Sequence, residues 1–156
     1  MLRSFFVIIC IGILITACND NASNTTDRKN GYTTTLKTKE DSLYHDVEEG
    51  HNAGMAKVGK LRKNMDEVQH QLDSINKLPA KKVNAAYKQS LTDLQKDLTD
   101  ANNEMNTWMD GFKPDSATGK PDQRIQYLQS EKEKITAVKE HMTSSLQKAD
   151  SLLKKS

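Results

Sequence analysis

Four side chains with nitrogen or sulfur donor atoms stand at helical spacing in two separate stretches of the chain. His51 and Met55 lie four residues apart, as do Met105 and Met109 on either side of the only tryptophan, Trp108. Residues four apart share one face of a helix, and thioether sulfur selects Cu(I) among the common metals. If the two stretches pack together, these four side chains predict a Cu(I) site that the indole ring would shield.

The same methionines also have a simpler interpretation as core residues. Methionine fills irregular gaps in helical cores, and Met105 falls on the apolar stripe of its predicted helix. Trp108 would then cap the core, and His51 would be a half-buried polar residue at the seam. The sequence leaves both interpretations open, and it favours core packing because the Met spacing coincides with the apolar stripe.

Two Glu-x-x-His pairs, Glu48 with His51 and Glu67 with His70, have the spacing found in di-iron helical bundles. Both pairs lie on one predicted helix, 19 residues apart, which is about 28 Å along the axis, so they cannot bind one metal. The sequence also contains no Gly-rich phosphate loop and no Ser-His-Asp arrangement. We therefore expect a protein that is not an enzyme.

Cys18 directly follows Ile15-Thr16-Ala17 at the end of an apolar run. Residues 1–17 have the basic start, apolar core and small terminal residues of a secretory signal, and the core is shorter than the about 20 residues of a transmembrane helix. The pattern is typical of a lipoprotein signal. We expect removal of residues 1–17, a covalent lipid such as palmitate on Cys18, and anchoring in the cell envelope. The expected membrane is the outer membrane, on its periplasmic or surface side.

The composition narrows both the fold and the partners. Aromatic residues make up 5 % and charged residues 28 % of the chain, and the mean hydropathy is −0.75. This is too little bulky apolar material for a thick globular core, but enough for the narrow seam of a helical bundle. The net charge is +2 and the two signs alternate, which gives no electrostatic case for binding nucleic acid.

Three apolar stripes predict three helices. The first covers residues 38–78, and Thr38-Lys39-Glu40-Asp41 at its start matches a capping box. Pro79 is expected in the first turn of the second helix, which closes at Gly111. Pro121 opens the third helix after a polar loop over residues 113–120. The stripes are Val58, Leu61, Met65, Val68, Leu72 and Ile75, then Tyr87, Leu91, Leu94, Leu98, Ala101, Met105, Trp108 and Phe112, then Ile125, Leu128, Ile135, Val138, Met142, Leu146, Ala149 and Leu152.

Short connections make consecutive helices antiparallel neighbours. The predicted fold is therefore all-α: an elongated, coiled-coil-like, up-down-up three-helix bundle over residues 38–156. A signal peptide at 1–17 precedes it, followed by the lipidated cysteine with an Asn/Thr-rich flexible tether at 18–37.

Folding the helices back on one another places particular residues at one level. His51 is expected level with Trp108, and Tyr127 and Leu128 of the third helix at the same level. Three glycines in the first helix, Gly50, Gly54 and Gly59, each lower helix propensity by about 1 kcal/mol relative to alanine. Either this region is loosely packed or a neighbouring helix approaches it closely.

Three motifs carry a resemblance to a known family: His51-x-x-x-Met55-x-x-Val58-Gly59, Met105-x-x-Trp108-Met109-x-Gly111-Phe112, and Tyr127-Leu128 with the Ala149-containing end of the third helix. Over most of residues 40–154 the chain resembles small, uncharacterised Bacteroidetes lipoproteins often labelled "viral A-type inclusion protein". The resemblance implies the fold and the location but no activity. Family members tend to have Met where this chain has Val58, which removes one ligand from any Met-based site.

The expected function is a lipid-anchored, non-enzymatic helical module that contacts another envelope protein, with a homo-oligomer as an open alternative. A second hypothesis is a periplasmic Cu(I)-binding protein that uses His51, Met55, Met105 and Met109. A third is a small periplasmic chaperone, because Leu91-Thr92-Asp93-Leu94-Gln95 resembles the Leu-Thr-x-x-Gln motif that such chaperones carry twice.

Overall fold

The computed structural model describes residues 28–29, 32–33 and 36–154. The predicted signal peptide at 1–17, the lipidation site Cys18 and most of the tether lie outside the described residues. Their assignments stay predictions.

Three long helices, α1 (Lys39–Asn76), α2 (Ala85–Gly111) and α3 (Pro121–Leu153), form a bundle in which each helix packs against the other two. A short 3-10 helix, Ala80–Lys82, lies in the connection between α1 and α2. The predicted all-α three-helix bundle is confirmed. Within the described residues, no helix has the length and hydropathy of a membrane span.

Side-chain contacts fix the direction of each helix. Three ion pairs join α1 to α3 in rising order along both helices, Glu40–Arg124, Asp46–Lys132 and Lys60–Asp150, so these two helices are parallel. Contacts between α2 and α1 run in the opposite order, with the start of α2 beside the end of α1.

The antiparallel course of α2 is clearest against α1. The hydroxyl of Tyr87, in its first turn, donates to Gln71 near the end of α1, whereas the ring of Phe112 lies against Tyr44 near the start of α1. The bundle is therefore up-down-up, as the short connections predict.

A pair of two-residue strands precedes the bundle. β1 (Arg28–Lys29) pairs antiparallel with β2 (Tyr32–Thr33), and β2 lies beside α1. The sequence contains no strand signal there, since these residues fall within the stretch interpreted as a tether. The pair leaves the helical fold class unchanged.

The start of α1 has the predicted capping box. The Thr38 hydroxyl accepts a hydrogen bond from the Asp41 amide at 3.0 Å, and the Asp41 carboxylate accepts one from the Thr38 amide at 3.1 Å. These bonds satisfy amides that have no partner inside the helix. The helix ends at Asn76, slightly before the predicted 78.

The predicted start of α2 at Pro79 is wrong. Pro79 has an extended backbone and precedes the 3-10 turn, and α2 begins only at Ala85. The reason is local, because the Asn84 side chain accepts a hydrogen bond from the Tyr87 amide and so caps the helix. At the other end of this helix Gly111 is the last helical residue, and Pro121 opens α3 as predicted.

The core follows the predicted stripes. Its buried members are Val47, Leu61, Val68, Leu91, Leu94, Leu98, Ala101, Met105, Trp108, Ile135, Val138, Met142, Leu146 and Ala149. A smaller cluster of Leu43, Tyr44 and Leu128 lies at the end of the bundle where α1 begins. The predicted level of Tyr127 and Leu128 is therefore wrong by more than one helical turn. The loop between α2 and α3 sets this axial offset, which the stripe alone does not specify.

Close helix approach explains two of the three glycines in α1. A Cβ on Gly50 would lie 3.0 Å from the Cγ2 of Ile135. On Gly54 it would overlap the methyl group of Met105. Gly59 faces open space. Of the two alternatives that the sequence leaves open, close approach holds at Gly50 and Gly54.

Candidate functional site

Five rings gather at the end of the bundle where α1 begins. Trp108 stacks on Phe112 with ring centres 5.0 Å apart, and the imidazole of His51 lies 5.6 Å from the Trp108 ring. Phe112 also stacks on Tyr127 at 6.2 Å and lies 6.4 Å from Tyr44. The rings come from all three helices and the residue after α2. We call this region the aromatic end.

A recess between α1 and α2 opens at the aromatic end. Its volume is about 340 Å³, and it is lined by Val47, Glu48, His51, Trp108, Met109 and Phe112. Most of the lining is apolar, with one imidazole and one carboxylate at its edge. We call this the α1–α2 recess.

A larger groove lies between α2 and α3, on the other side of Trp108. Its volume is about 540 Å³. The residues that line it are Asp100, Asn103, Glu104, Thr107, Trp108, Gly111, Glu131, Lys134 and Val138. Three of these side chains are carboxylates and one is a lysine. We call this the α2–α3 groove.

Trp108 lines both openings, yet only 9 % of it is exposed. Its indole nitrogen is buried and has no hydrogen-bond partner among the described residues. A buried donor without an acceptor costs about 1–3 kcal/mol. The indole therefore leaves one unsatisfied donor buried beside the two openings.

The four side chains of the predicted Cu(I) site lie in three different surroundings. His51 and Met109 line the α1–α2 recess. Met105 is fully buried against Gly54 in the core, whereas Met55 is 39 % exposed. The structure thus brings two of the four to one opening. Within residues 36–154, no three His, Cys, Asp or Glu side chains are grouped to hold a metal ion.

A polar network between α2 and α3 joins side chains that the sequence pattern did not connect. His141 of α3 lies between two carboxylates of α2, with its Nδ1 2.8 Å from Glu104 and its Nε2 3.3 Å from Asp97. The hydrogen bond to Glu104 is the main cause that raises the pKa of His141, followed by the bond to Asp97. Because the carboxylates face opposite ring nitrogens, they bracket an imidazolium and do not converge on a common metal position.

Asp97 is the centre of this network. It accepts hydrogen bonds from the hydroxyl of Ser145 at 2.7 Å and from the ammonium of Lys148 at 3.1 Å. Partial burial acts to raise the pKa of Asp97, but the hydrogen bonds from Ser145, Lys148 and His141 outweigh it, and the pKa is lowered. Ser145 is fully buried and donates to a carboxylate, which supports a structural role for this hydroxyl.

Arg124 is a second feature that the sequence did not indicate. It exposes 3 % of its surface, pairs with Glu40 of α1 at 3.0 Å, and donates to the backbone carbonyl of Ser116 at 2.9 Å. Its guanidinium also lies 5.7 Å from the centre of the Tyr44 ring. Arg124 therefore ties the 113–120 loop and the start of α1 to α3 beside the aromatic end.

Spacing is the one sequence signal that bears on the His141 network. Asp97 and Glu104 lie seven residues apart, and each directly precedes a buried stripe residue, Leu98 and Met105. They flank the apolar stripe on one side, as polar residues at the edges of a bundle seam do. This pattern identifies edge positions, but it does not say which residue of α3 lies opposite.

Two residues of the motif compared with periplasmic chaperones belong to the core. Leu91 and Leu94 are buried, at 0 % and 4 % exposure, and they occupy the positions that the apolar stripe of α2 gives them. Their burial supports a packing role for this short match.

No protein-family model matches the sequence, and neither a curated protein nor a solved structure is significantly similar to it. The likeness to Bacteroidetes lipoproteins stays a prediction from the motifs quoted above.

Proposed function

We propose that this protein is a lipid-anchored, non-enzymatic component of the cell envelope that binds another envelope protein through its aromatic end. One observation carries the proposal: the rings of Tyr44, Trp108, Phe112 and Tyr127 converge with two openings on the same end of the bundle. Tryptophan and tyrosine are enriched among the residues that dominate binding energy at protein interfaces.

The position of this end supports a partner close to the membrane. The chain enters the bundle there, since α1 begins at Lys39. Because β1 and β2 pair beside α1, only residues 18–27 are left as the predicted flexible tether, with a root-mean-square length of about 17 Å. A lipid on Cys18 would hold the aromatic end within that distance of the membrane, where membrane proteins and other lipoproteins are within reach.

The surroundings of the methionines support a packing role more than a Cu(I) site. Met105 fills space against Gly54, and Met55 points into solvent. Only His51 and Met109 would remain as ligands at one opening. The binding function is therefore assigned to the rings and the two openings.

Site-specific photo-cross-linking tests the binding end. Asp110 is exposed and lies between Met109, which lines the recess, and Gly111, which lines the groove. Thr92 is a matched control, because it is an exposed residue on the same face of α2, five turns or about 27 Å away. A photoreactive residue is placed at either position in the full chain, and membranes of intact cells are irradiated.

We expect an adduct with one protein of defined mass from position 110 and none from position 92. Equal adduct formation from both positions would contradict a specific binding end. An adduct with twice the mass of the chain would identify a second copy as the partner and overturn the envelope-partner proposal.

The lipid anchor has its own test. Cells are fed an alkyne-labelled palmitate, and the chain is isolated and examined for the label. We expect labelling of the natural chain and none of a Cys18→Ser variant. A label that persists in Cys18→Ser would refute lipidation at this cysteine.

A further inference from the structure

The connection between α1 and α2 projects beyond the rest of the bundle. Asp150 of α3 pairs with Lys60 of α1, and α3 ends at Leu153, one turn later, whereas α1 continues to Asn76. The α1–α2 hairpin therefore extends about 20 Å past the end of α3. This end lies opposite the aromatic end, about 57 Å away along α1. We call residues 77–84 the hairpin tip.

The hairpin tip and the first turn of α2 carry an excess of positive charge. Residues 74–92 contain no Asp or Glu, and their lysines are Lys77, Lys81, Lys82 and Lys88. The first three are exposed and the last is half-buried. Within the described part of the chain, none of these ammonium groups forms an ion pair or a hydrogen bond. The alternation of charge along the chain is therefore interrupted here.

The acidic residue that precedes this stretch does not neutralise it. Asp73 accepts a hydrogen bond from Gln69, one turn farther from the hairpin tip. Its carboxylate is thus engaged on the side of α1 that leads away from the tip lysines. Because α3 ends well before the tip, its carboxylates lie at a distance too.

Leu78 adds an exposed apolar side chain to the same tip. It is 46 % exposed, and Pro79 beside it is exposed as well. Backbone hydrogen bonds hold this turn, since the Leu78 amide donates to the Ile75 carbonyl at 3.0 Å and the Lys82 amide donates to the Pro79 carbonyl at 2.8 Å. The apolar group and the lysines therefore belong to one hydrogen-bonded turn.

An anionic phospholipid surface is the partner that uses both features. Its phosphates attract ammonium groups, and each lysine near such a surface strengthens binding. An apolar side chain such as Leu78 is favoured at the boundary between headgroups and acyl chains. An acidic polymer would pair with the lysines but would give the exposed leucine no role.

We propose that the hairpin tip binds the surface of an anionic phospholipid bilayer, with Lys77, Lys81 and Lys82 at the headgroup phosphates and Leu78 between the headgroups. Lys88 adds to the positive field behind them. This inference goes beyond the proposed function, because the tip and the aromatic end lie at opposite ends of the bundle. The tip can engage lipid while the aromatic end binds a protein.

Co-sedimentation with vesicles tests the proposal on the full chain. The purified chain is inserted into phosphatidylcholine nanodiscs, so that its own membrane is neutral. These nanodiscs are mixed with sucrose-loaded vesicles of equal parts phosphatidylcholine and phosphatidylglycerol, or of phosphatidylcholine alone. We expect the chain to sediment with the anionic vesicles only, and added salt to weaken this binding. Sedimentation with both kinds of vesicle, or with neither, would overturn the proposal.

Two adjacent lysines provide the test of charge. The double variant Lys81→Gln, Lys82→Gln should weaken binding about 25-fold, at about fivefold for each lysine. The double variant Arg62→Gln, Lys63→Gln makes the same charge change at adjacent exposed positions in the middle of α1 and should leave the affinity unchanged. An equal loss in both double variants would show an effect of net charge alone and would rule out the tip as the binding surface.

Leu78→Gln tests the apolar contact. It should weaken binding severalfold, because the polar side chain gains nothing among the headgroups. Met55→Gln is the matched control, since Met55 is also an exposed apolar residue, at 39 %, but lies outside the tip, and its affinity should not change. If Leu78→Gln binds as tightly as the natural chain, or if polyglutamate displaces the chain as effectively as excess anionic vesicles do, the partner is an acidic polymer and the assignment to lipid is wrong.

Circular dichroism confirms that each variant is folded before its affinity is compared. Failure of these tests concerns the hairpin tip alone. The cross-linking comparison of positions 110 and 92, both outside the tip, would still decide whether the aromatic end binds a protein.

Discussion

Gly50 and Gly59 lie on the same helix and provide a matched test of how closely α1 approaches α3. Replacing either by alanine raises the helix propensity of α1 by about 1 kcal/mol. At Gly59 nothing lies within 4 Å of the new Cβ, so we expect Gly59→Ala to stabilise the protein by about that amount. At Gly50 the Cβ would meet the Cγ2 of Ile135 at 3.0 Å.

Ile135 has little freedom to move away. It is fully buried, and a β-branched side chain in a helix is restricted to essentially one rotamer. Overpacking of this kind costs about 1–3 kcal/mol. After the propensity gain, Gly50→Ala should lie between neutral and destabilised by about 2 kcal/mol. The difference between the two variants, about 1–3 kcal/mol, isolates the contact because the propensity terms cancel.

Urea unfolding of both variants measures this difference. The helical signal and the fluorescence of Trp108 should report the same transition, because Trp108 belongs to the core. If Gly50→Ala stabilises the protein as much as Gly59→Ala, the close approach of α1 to α3 at Ile135 is refuted.

Three further predictions follow from individual contacts. The folded protein raises the pKa of His141 above 6.5, the ordinary value for histidine. The ion pairs of the protonated imidazole therefore stabilise the fold fully below pH 6.5, and this contribution is lost as the pH rises through the raised pKa. Thermal unfolding of the natural chain across this range should show a loss of stability of about 0.5–1 kcal/mol after solvent screening. His141→Gln should abolish this pH dependence. The same pH dependence in His141→Gln as in the natural chain would contradict the network. Arg124→Met should destabilise the protein by about 1–3 kcal/mol in urea unfolding, because it leaves a loop carbonyl and Glu40 without their partner, whereas unaltered stability would show that the buried pair is dispensable. An anaerobic Cu(I) titration should leave Trp108 fluorescence unchanged, and stoichiometric quenching that is lost in Met105→Leu would instead establish a metal site.

Local signals predicted the helices well because their causes are local. The capping box at Thr38 requires only residues within one turn, and Pro121 fits the first turn of α3 wherever that helix packs. Apolar periodicity likewise depends on one helix at a time. The core stripe of each helix could therefore be predicted before any contact between helices was known.

The rotation of α1 was harder to predict. The structure leaves His51 half-buried against Trp108, which agrees with its interpretation as a polar seam residue. It also buries Gly50 at that turn, which the apolar stripe did not indicate. A glycine carries no apolar signal, so the residue that allows α3 to approach is not visible in a hydrophobic pattern. Met55, one turn after His51, consequently faces solvent.

The contacts between helices could not be predicted from the pattern at all. His141 and Asp97 are 44 residues apart, and their pairing depends on the axial offset of α3. That offset follows from the path of the 113–120 loop, where Ala117 and Gly119 have left-handed backbones. No rule of periodicity specifies such a path.

The accessibility of an introduced cysteine to a maleimide measures most directly whether the aromatic end binds a partner. Asp110→Cys and Thr92→Cys are labelled with a maleimide, once in membranes and once in the purified chain, with the natural chain as the background. We expect position 110 to react more slowly in membranes than in the purified chain, and position 92 to react equally in both. Equal reactivity of position 110 in both preparations would contradict a partner at the aromatic end.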